Sequence, residues 1–179
     1  MVNGTSKSYS SDGDTRTETN MTVNMNGTPR PLDRAVLMLH SDPHIIYSLN
    51  EADKTYTATD VSKVPNRDDE AEYEITVLGK ERVNNYNCTH VKAVNKNTQR
   101  EMELWLSKDV PHYERYAAIK NKYVVSNLYK QLRDKGADGF AVRMLVAEER
   151  AGQMQMDLVK AEERNIDASM FSLGGYTKK

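Results

Sequence analysis

The chain has a single cysteine, Cys88, one tryptophan and two phenylalanines in 179 residues. A lone cysteine closes no internal disulfide, so the small disulfide-stapled scaffold is excluded, although many envelope proteins also do without such bridges. No run of 18 apolar residues occurs, so no segment is long enough to cross a membrane as a helix. Excess charge of either sign is missing too. The 25 Lys+Arg against 26 Asp+Glu leave a net charge of -1, which argues against a nucleic-acid binder, because phosphate contacts need a basic face. Glycine-rich phosphate cradles of the GxxxxGK[ST] or GxGxxG kind are absent, and so are HExxH and CxxC. Met1-Val2-Asn3-Gly4 runs straight into polar sequence, with neither the basic nor the apolar stretch of a signal peptide.

What is present is a polar chain, mean hydropathy -0.75, whose apolar residues are unusually rich in 9 Met and 10 Tyr. A chain of this length can bury about 70% of its unfolded surface, so one real core is feasible. Residues 1–14, rich in Ser, Gly and Asp, read as a flexible lead, and residues 15–179 as a single domain. From Thr15 a period of two sets in. Thr15, Thr17, Thr19, Met21, Val23 and Met25 share one side and Arg16, Glu18, Asn20, Thr22 and Asn24 the other, the mark of a half-buried strand. Pro29 and Pro31 mark a short connection. Ala35 to His40, Ile45 to Leu49 and Thr55 to Thr59 follow with very short loops, which requires antiparallel neighbours. Val61 to Glu72 reads as a charged surface loop within the sheet. A second set of strands covers Tyr73 to Val77, Tyr86 to Val94 and Glu101 to Leu106. After a helical stretch, Phe140 to Val146 and Met154 to Leu158 alternate again.

The helical stretch spans about 111–135. Asp109 and Pro111 supply start signals, and Tyr116, Ala117, Tyr123, Val124, Leu128 and Leu132 recur at three- and four-residue spacing before Gly136. Asp167 reads as the cap of a last helical turn. The expected fold is therefore α+β: a curved antiparallel sheet with one long amphipathic helix across its concave face.

Four segments carry a resemblance. KERVNNYNCTHVKA (Lys80 to Ala93), EMELWLSKDV, DASMFSLGGYTKK and IIYSLNEADKTYTATD stand in the order and spacing of the DUF4412 family of Bacteroidota. The chain resembles that family from about Thr15 onward. Asn85-Tyr86 stands where the family usually has Gly-Tyr, and Leu173-Gly174 where it has Ile-Pro. The resemblance implies a LolA/LolB-like periplasmic fold, an incomplete antiparallel β-barrel with a helical lid over an apolar interior. It also implies export, with a signal peptide removed from this chain. It carries over no catalytic motif.

Weighed one by one, the chemical candidates thin out. His40 and His44 are four apart, but Pro43 breaks the helical geometry that a zinc pair needs, so no metal or cofactor site is expected. Cys88 and His90 share a strand face about 7 Å apart at Cα, which makes a thiol–imidazole pair conceivable. The plainer reading is a small buried hydrophobe with no electropositive setting to activate it. The methionines say more. Met21, Val23, Met25, Met102, Leu104, Leu106, Val142, Met144, Met154, Met156 and Leu158 fall on the apolar sides of their strands, and Tyr116 and Tyr123 on the helix stripe. Together they are the expected lining of an apolar groove between helix and sheet, where flexible Met side chains adapt to ligands of varied shape. The expected function is a non-enzymatic, exported binder of a hydrophobic small molecule, a lipid or the acyl chains of a lipoprotein. The alternative is an envelope protein–protein interaction module with a sealed core and no ligand.

Overall fold

The computed structural model describes residues 3–25, 28–63, 71–114, 127–148 and 152–179. Their strands are β1 (Asn3–Ser11), β2 (Asp14–Met25), β3 (Thr28–Met38), β4 (Ile45–Asn50), β5 (Thr55–Asp60), β6 (Tyr73–Val83), β7 (Tyr86–Asn95), β8 (Glu101–Ser107), β9 (Phe140–Glu148), β10 (Gly152–Asp157) and β11 (Thr177–Lys178). An α-helix, α1 (Asn127–Asp134), lies between β8 and β9, and residues 113 and 114 are helical as well. The chain divides into two compact units, one of Met1–Pro65 with Arg164–Lys179 and one of Asn66–Glu163.

The first unit is a six-stranded sheet in the order β1-β2-β3-β4-β5-β11. β1 to β5 form an antiparallel meander, and β11 joins β5 in parallel. Asp12 and Gly13 turn β1 into β2, both at positive φ (48° and 99°), the backbone that a two-residue hairpin loop requires. Directly opposed residues share a face, so the register Tyr9–Arg16–Leu37–Tyr47 sets the core side of this sheet. There Ala35, Leu37, Leu49 and Phe171 are buried together, with Tyr56, Ile166 and Met170 packed around them. Phe171 sits in a 3-10 turn over Ala168–Phe171 that Asp167 caps, its side chain accepting from Ser169 N–H.

Arg16 is buried on this apolar side, so its charge has to be matched locally. Its Nε donates to Glu18 (2.8 Å) and its Nη2 to Glu51 (2.6 Å). Glu51 also accepts from Tyr176 Oη at 2.6 Å and from Lys54 Nζ at 2.8 Å. Lys179 Nζ reaches Asp53, and Thr177 N–H donates to Lys54 O. The carboxyl-terminal segment is thereby clasped to the β4–β5 hairpin by charge-assisted bonds as well as by Phe171.

The second unit is a five-stranded antiparallel sheet in the order β10-β9-β8-β7-β6. α1 lays Leu128 and Leu132 on Val91, Ala93, Leu104 and Leu106. Gly136, at φ 73°, ends it: Gly136 N–H donates to Arg133 O and Ala137 N–H to Leu132 O, which satisfies the last carbonyls of the helix. On the opposite side of the sheet, Val83, Cys88, Trp105, Val110, Tyr113 and Val142 make a second core.

One curved sheet crossed by a long helix is therefore not the fold. The described chain is mostly strand, in two sheets, with a short helix and no closed barrel. Of the helix expected over 111–135, Asn127–Asp134 is α1, and residues 115–126 lie outside the described residues. Alternation shows that a strand has two faces but not which strand it pairs with. β5 pairs with β4 and β11, and β6 with β7 alone, so the stretch between them separates two sheets instead of looping within one. The expected lead over 1–14 contains strand β1, because Ser6, Ser8 and Ser10 alternate with Lys7 and Tyr9 up to the Asp12-Gly13 turn. Pro29 and Pro31 lie inside β3, opposite Asn24 and Thr22.

Two outcomes are expected. Phe171→Ala removes the plug of the first core and should cost about 3–5 kcal/mol, read as faster amide exchange in β3 and β4. Burial alone would raise the Glu51 carboxyl, but the bonds from Lys54 and Tyr176 and the charges of Arg16 and Lys54 hold it below its ordinary value of 4.5. A depressed carboxylate contributes stability that is present above its unfolded value and lost as pH falls through its folded one. Melting temperature followed from pH 7 into acid should thus fall less steeply for Glu51→Gln than for the parent chain.

Candidate functional site

The register of the second sheet brings ten apolar residues into two rows, one residue from each strand. One row is Val77–Val91–Leu104–Met144–Met156 and the next is Ile75–Ala93–Met102–Val146–Met154. With strands about 4.8 Å apart, each row runs roughly 19 Å across the sheet. Val91, Ala93 and Leu104 are buried at the centre under α1. Met102 and Met144 are half-buried, whereas Met154 (41% exposed), Met156 (52%) and, at the opposite edge, Val77 (48%) open to solvent. The apolar face is thus closed where the helix lies and open along β10 and at Val77.

Six of the residues expected to line a groove (Met102, Leu104, Leu106, Met144, Met154 and Met156) share this face. The others do not join them. Val142 is fully buried and Leu158 half-buried in the core on the sheet's other side. Val142 sits where the β8–β9 register shifts, so the alternation that would place it beside Met144 is broken there. Met21 belongs to the first unit's sheet, opposite the exposed Leu32 and on the side away from its core. Val23 and Met25 lie on β2, but their side chains, like residues Tyr116 and Tyr123, fall outside what is described. Val77 and Leu78 (50% exposed) are apolar surface that a strand reading ending at Val77 leaves incomplete.

The other face carries the polar chemistry. His90 lies directly opposite Trp105, and the rings stack at 4.1 Å between centroids, 13° apart in plane. Arg143 extends the stack, its guanidinium 5.8 Å from the Trp105 ring centre, a cation–π contact. His90 Nδ1 is 2.9 Å from Glu81 and Nε2 is 2.7 Å from Glu103, and Trp105 Nε1–H donates to Glu81 at 2.5 Å. Arg143 is paired in turn with Asp157 at 2.6 Å. Each ring nitrogen of His90 thus has a carboxylate beside it. Its ring therefore faces glutamates on both flanking strands, and the Cys88 thiol donates to Tyr86 O at 3.5 Å. Burial pushes that thiol up from its ordinary value, with the Asp109 and Glu81 charges adding to the effect, so the arrangement works against a thiolate. Equal strand faces at i and i+2 suggest a Cys88–His90 pair; the cross-strand glutamates that occupy the histidine come from a register that spacing does not reveal.

Among the described residues no three His, Cys, Asp or Glu side chains come together to hold a metal ion, and no helix is long and apolar enough to cross a membrane. His40 and His44 are exposed near the β3–β4 turn. An open concavity of about 430 Å³ is lined by Lys108–Glu114; it is largely a loop of polar side chains, not an extension of the apolar rows.

In comparison with known proteins, a family model described as "Domain of unknown function (DUF4412)" matches residues 2–175. No curated protein matches the chain.

Folded Cys88 should react with iodoacetamide roughly two orders of magnitude more slowly than the same thiol in denaturant, since burial disfavours the thiolate and bars access. Mass-resolved labelling at neutral pH reads this directly, and equal rates would mean that the thiol is available for chemistry.

Proposed function

Given that the chain belongs to the DUF4412 family, whose description names no activity, we propose that it is a non-catalytic binder of a hydrophobic ligand, a lipid or the acyl chains of a lipoprotein, held beside α1 on the apolar face of the five-stranded sheet. The observation that supports this reading is the pair of five-residue apolar rows, buried beneath the helix and exposed at β10. Water in contact with Met154, Met156 and the open flank of Met144 is displaced when an alkyl chain lies along the rows, at about 0.8 kcal/mol per methylene buried. Methionine suits the task, because its unbranched thioether repacks around chains of different length at little cost. A non-catalytic role agrees with the engaged ring of His90 and the buried thiol of Cys88. An exported, periplasmic setting is proposed on the sequence resemblance alone; a carrier there would meet both free lipids and acylated proteins.

Isothermal titration of delipidated protein with a long-chain fatty acid, and separately with a diacylated lipopeptide, tests the proposal. Saturable binding with a negative heat-capacity change is expected for at least one of them. Met144→Gln, close in shape but polar at its tip, should weaken that binding about fivefold to tenfold while the circular dichroism stays unchanged. No saturable binding of either probe would overturn the reading.

A further inference from the structure

We propose that the β10 edge of the five-stranded sheet pairs with the same edge of a second copy of this chain, antiparallel about a twofold axis through Gln155. A sheet edge presents unpaired N–H and C=O groups and invites another strand unless it is blunted. The two edges of this sheet differ sharply in that respect. At β6 the Gln131 side chain acts as a stand-in strand: its Oε1 accepts from Tyr73 N–H at 3.0 Å and its Nε2 donates to Ala71 O at 3.0 Å. Asn127 Nδ2 donates to the same carbonyl. Further along, the register shifts between Val77 and Gly79, with Gly79 at φ 154°, and Lys80 and Arg82 follow. A bulge, edge lysine and arginine, and a capping side chain all oppose pairing there.

β10 has none of these. Its sequence GQMQMD holds no proline and no lysine, and its register with β9 is unbroken from Gly152 to Asp157. Leu158 N–H donates to Val142 O at 2.7 Å. Backbone direction alternates along a strand, so Met154 and Met156 turn their N–H and C=O groups to β9, while Gln155 and Asp157 turn theirs outward. No backbone partner for those outward groups is found among the described residues.

The edge is complementary to itself. A twofold through Gln155 makes it a hydrogen-bonded pair with its own copy and sets Met154 opposite Met156 of the second copy, twice over. Opposed side chains lie about 5 Å apart, so the two most exposed methionines of the apolar face cover each other. Because β6 is closed, the pairing is isologous and stops at two copies instead of running on as a fibre. A six-residue edge is small against the roughly 1,600 Å² of a standard interface, so association is weak, on the order of micromolar or weaker. The pairing does not depend on ligand.

Sedimentation velocity of the full chain over a wide concentration range tests it. The parent should pass from one chain to two as concentration rises. Gln155→Pro should remain a single chain throughout with its circular dichroism retained, since proline is accepted at an edge position whose N–H points away from the sheet. Met156→Lys, on an exposed side chain, should weaken pairing about tenfold or more and serves if the proline variant fails to fold. Fatty-acid binding retained by Gln155→Pro separates loss of pairing from loss of the proposed ligand site. A parent that stays single at every concentration, assemblies larger than two, or a dimer that survives both substitutions would each overturn the proposal.

Discussion

Strand register is the constraint on which the second unit depends. A strand's side chains alternate with a period of two, so each strand offers one of two faces, but only the pairing of neighbours decides which residues meet. In this sheet five independent alternations fall into step, and two rows of apolar residues run unbroken from β6 to β10. A slip of one residue in β8 would carry Leu104 to the polar face and Trp105 to the helix side. The sheet absorbs its two irregularities, at Leu78 and Val142, outside those rows, where an extra residue re-aims the chain without breaking them.

The first unit shows the same rule with a less obvious outcome. β2 looks apolar on its Thr15–Met21 side, yet the core forms on the Arg16 side, because Leu37, Tyr47 and Tyr9 lie in register with Arg16. A buried guanidinium on that side is tolerable only with its donors engaged. Glu18, Glu51 and the Met170 carbonyl take them up, and Tyr176 and Lys54 then converge on Glu51. One charged residue in an apolar setting thus recruits groups far apart in sequence and ties the chain's end to its first hairpins.

Local order was legible in the sequence wherever the signal is local. The strands over Tyr86 to Val94 and Phe140 to Val146, the Asp167 cap and the polar hairpin at Asn50 to Lys54 all depend on residues a few positions apart, and each has its counterpart in the structure, although the alternation within the second strand breaks at Val142. What depends on pairing was not legible. Nothing within β5 or β6 says that they belong to different sheets, and nothing near Thr177 says that it returns to β5 in parallel. Site residues divide along the same line. Met102, Leu104, Met144, Met154 and Met156 were readable as one set because regular strands carry them. Val142 was not, because a register shift inverts it, and the glutamates around His90 were not, because they stand on other strands.

The two faces of the five-stranded sheet differ most in what each still leaves unsatisfied. On the His90 side the described planar and charged groups are matched to partners: imidazole to two glutamates and an indole, indole N–H to a carboxylate, guanidinium to Asp157. A fully satisfied polar network is rigid, and removing one member strands the rest, so it gains little by binding anything more. On the methionine side the situation is reversed. The rows are satisfied beneath α1 and lose contact with protein at β10, where half of Met156 is in water. Apolar area left in water is the larger unmet free energy on this sheet, at about 25 cal/mol per Å². Both the proposed ligand and the proposed second copy draw on that one deficit. They share Met154 and Met156, but the second copy also needs the outward backbone of Gln155 at the edge, which the ligand does not, so a substitution at Gln155 can remove the pairing and leave the ligand site intact.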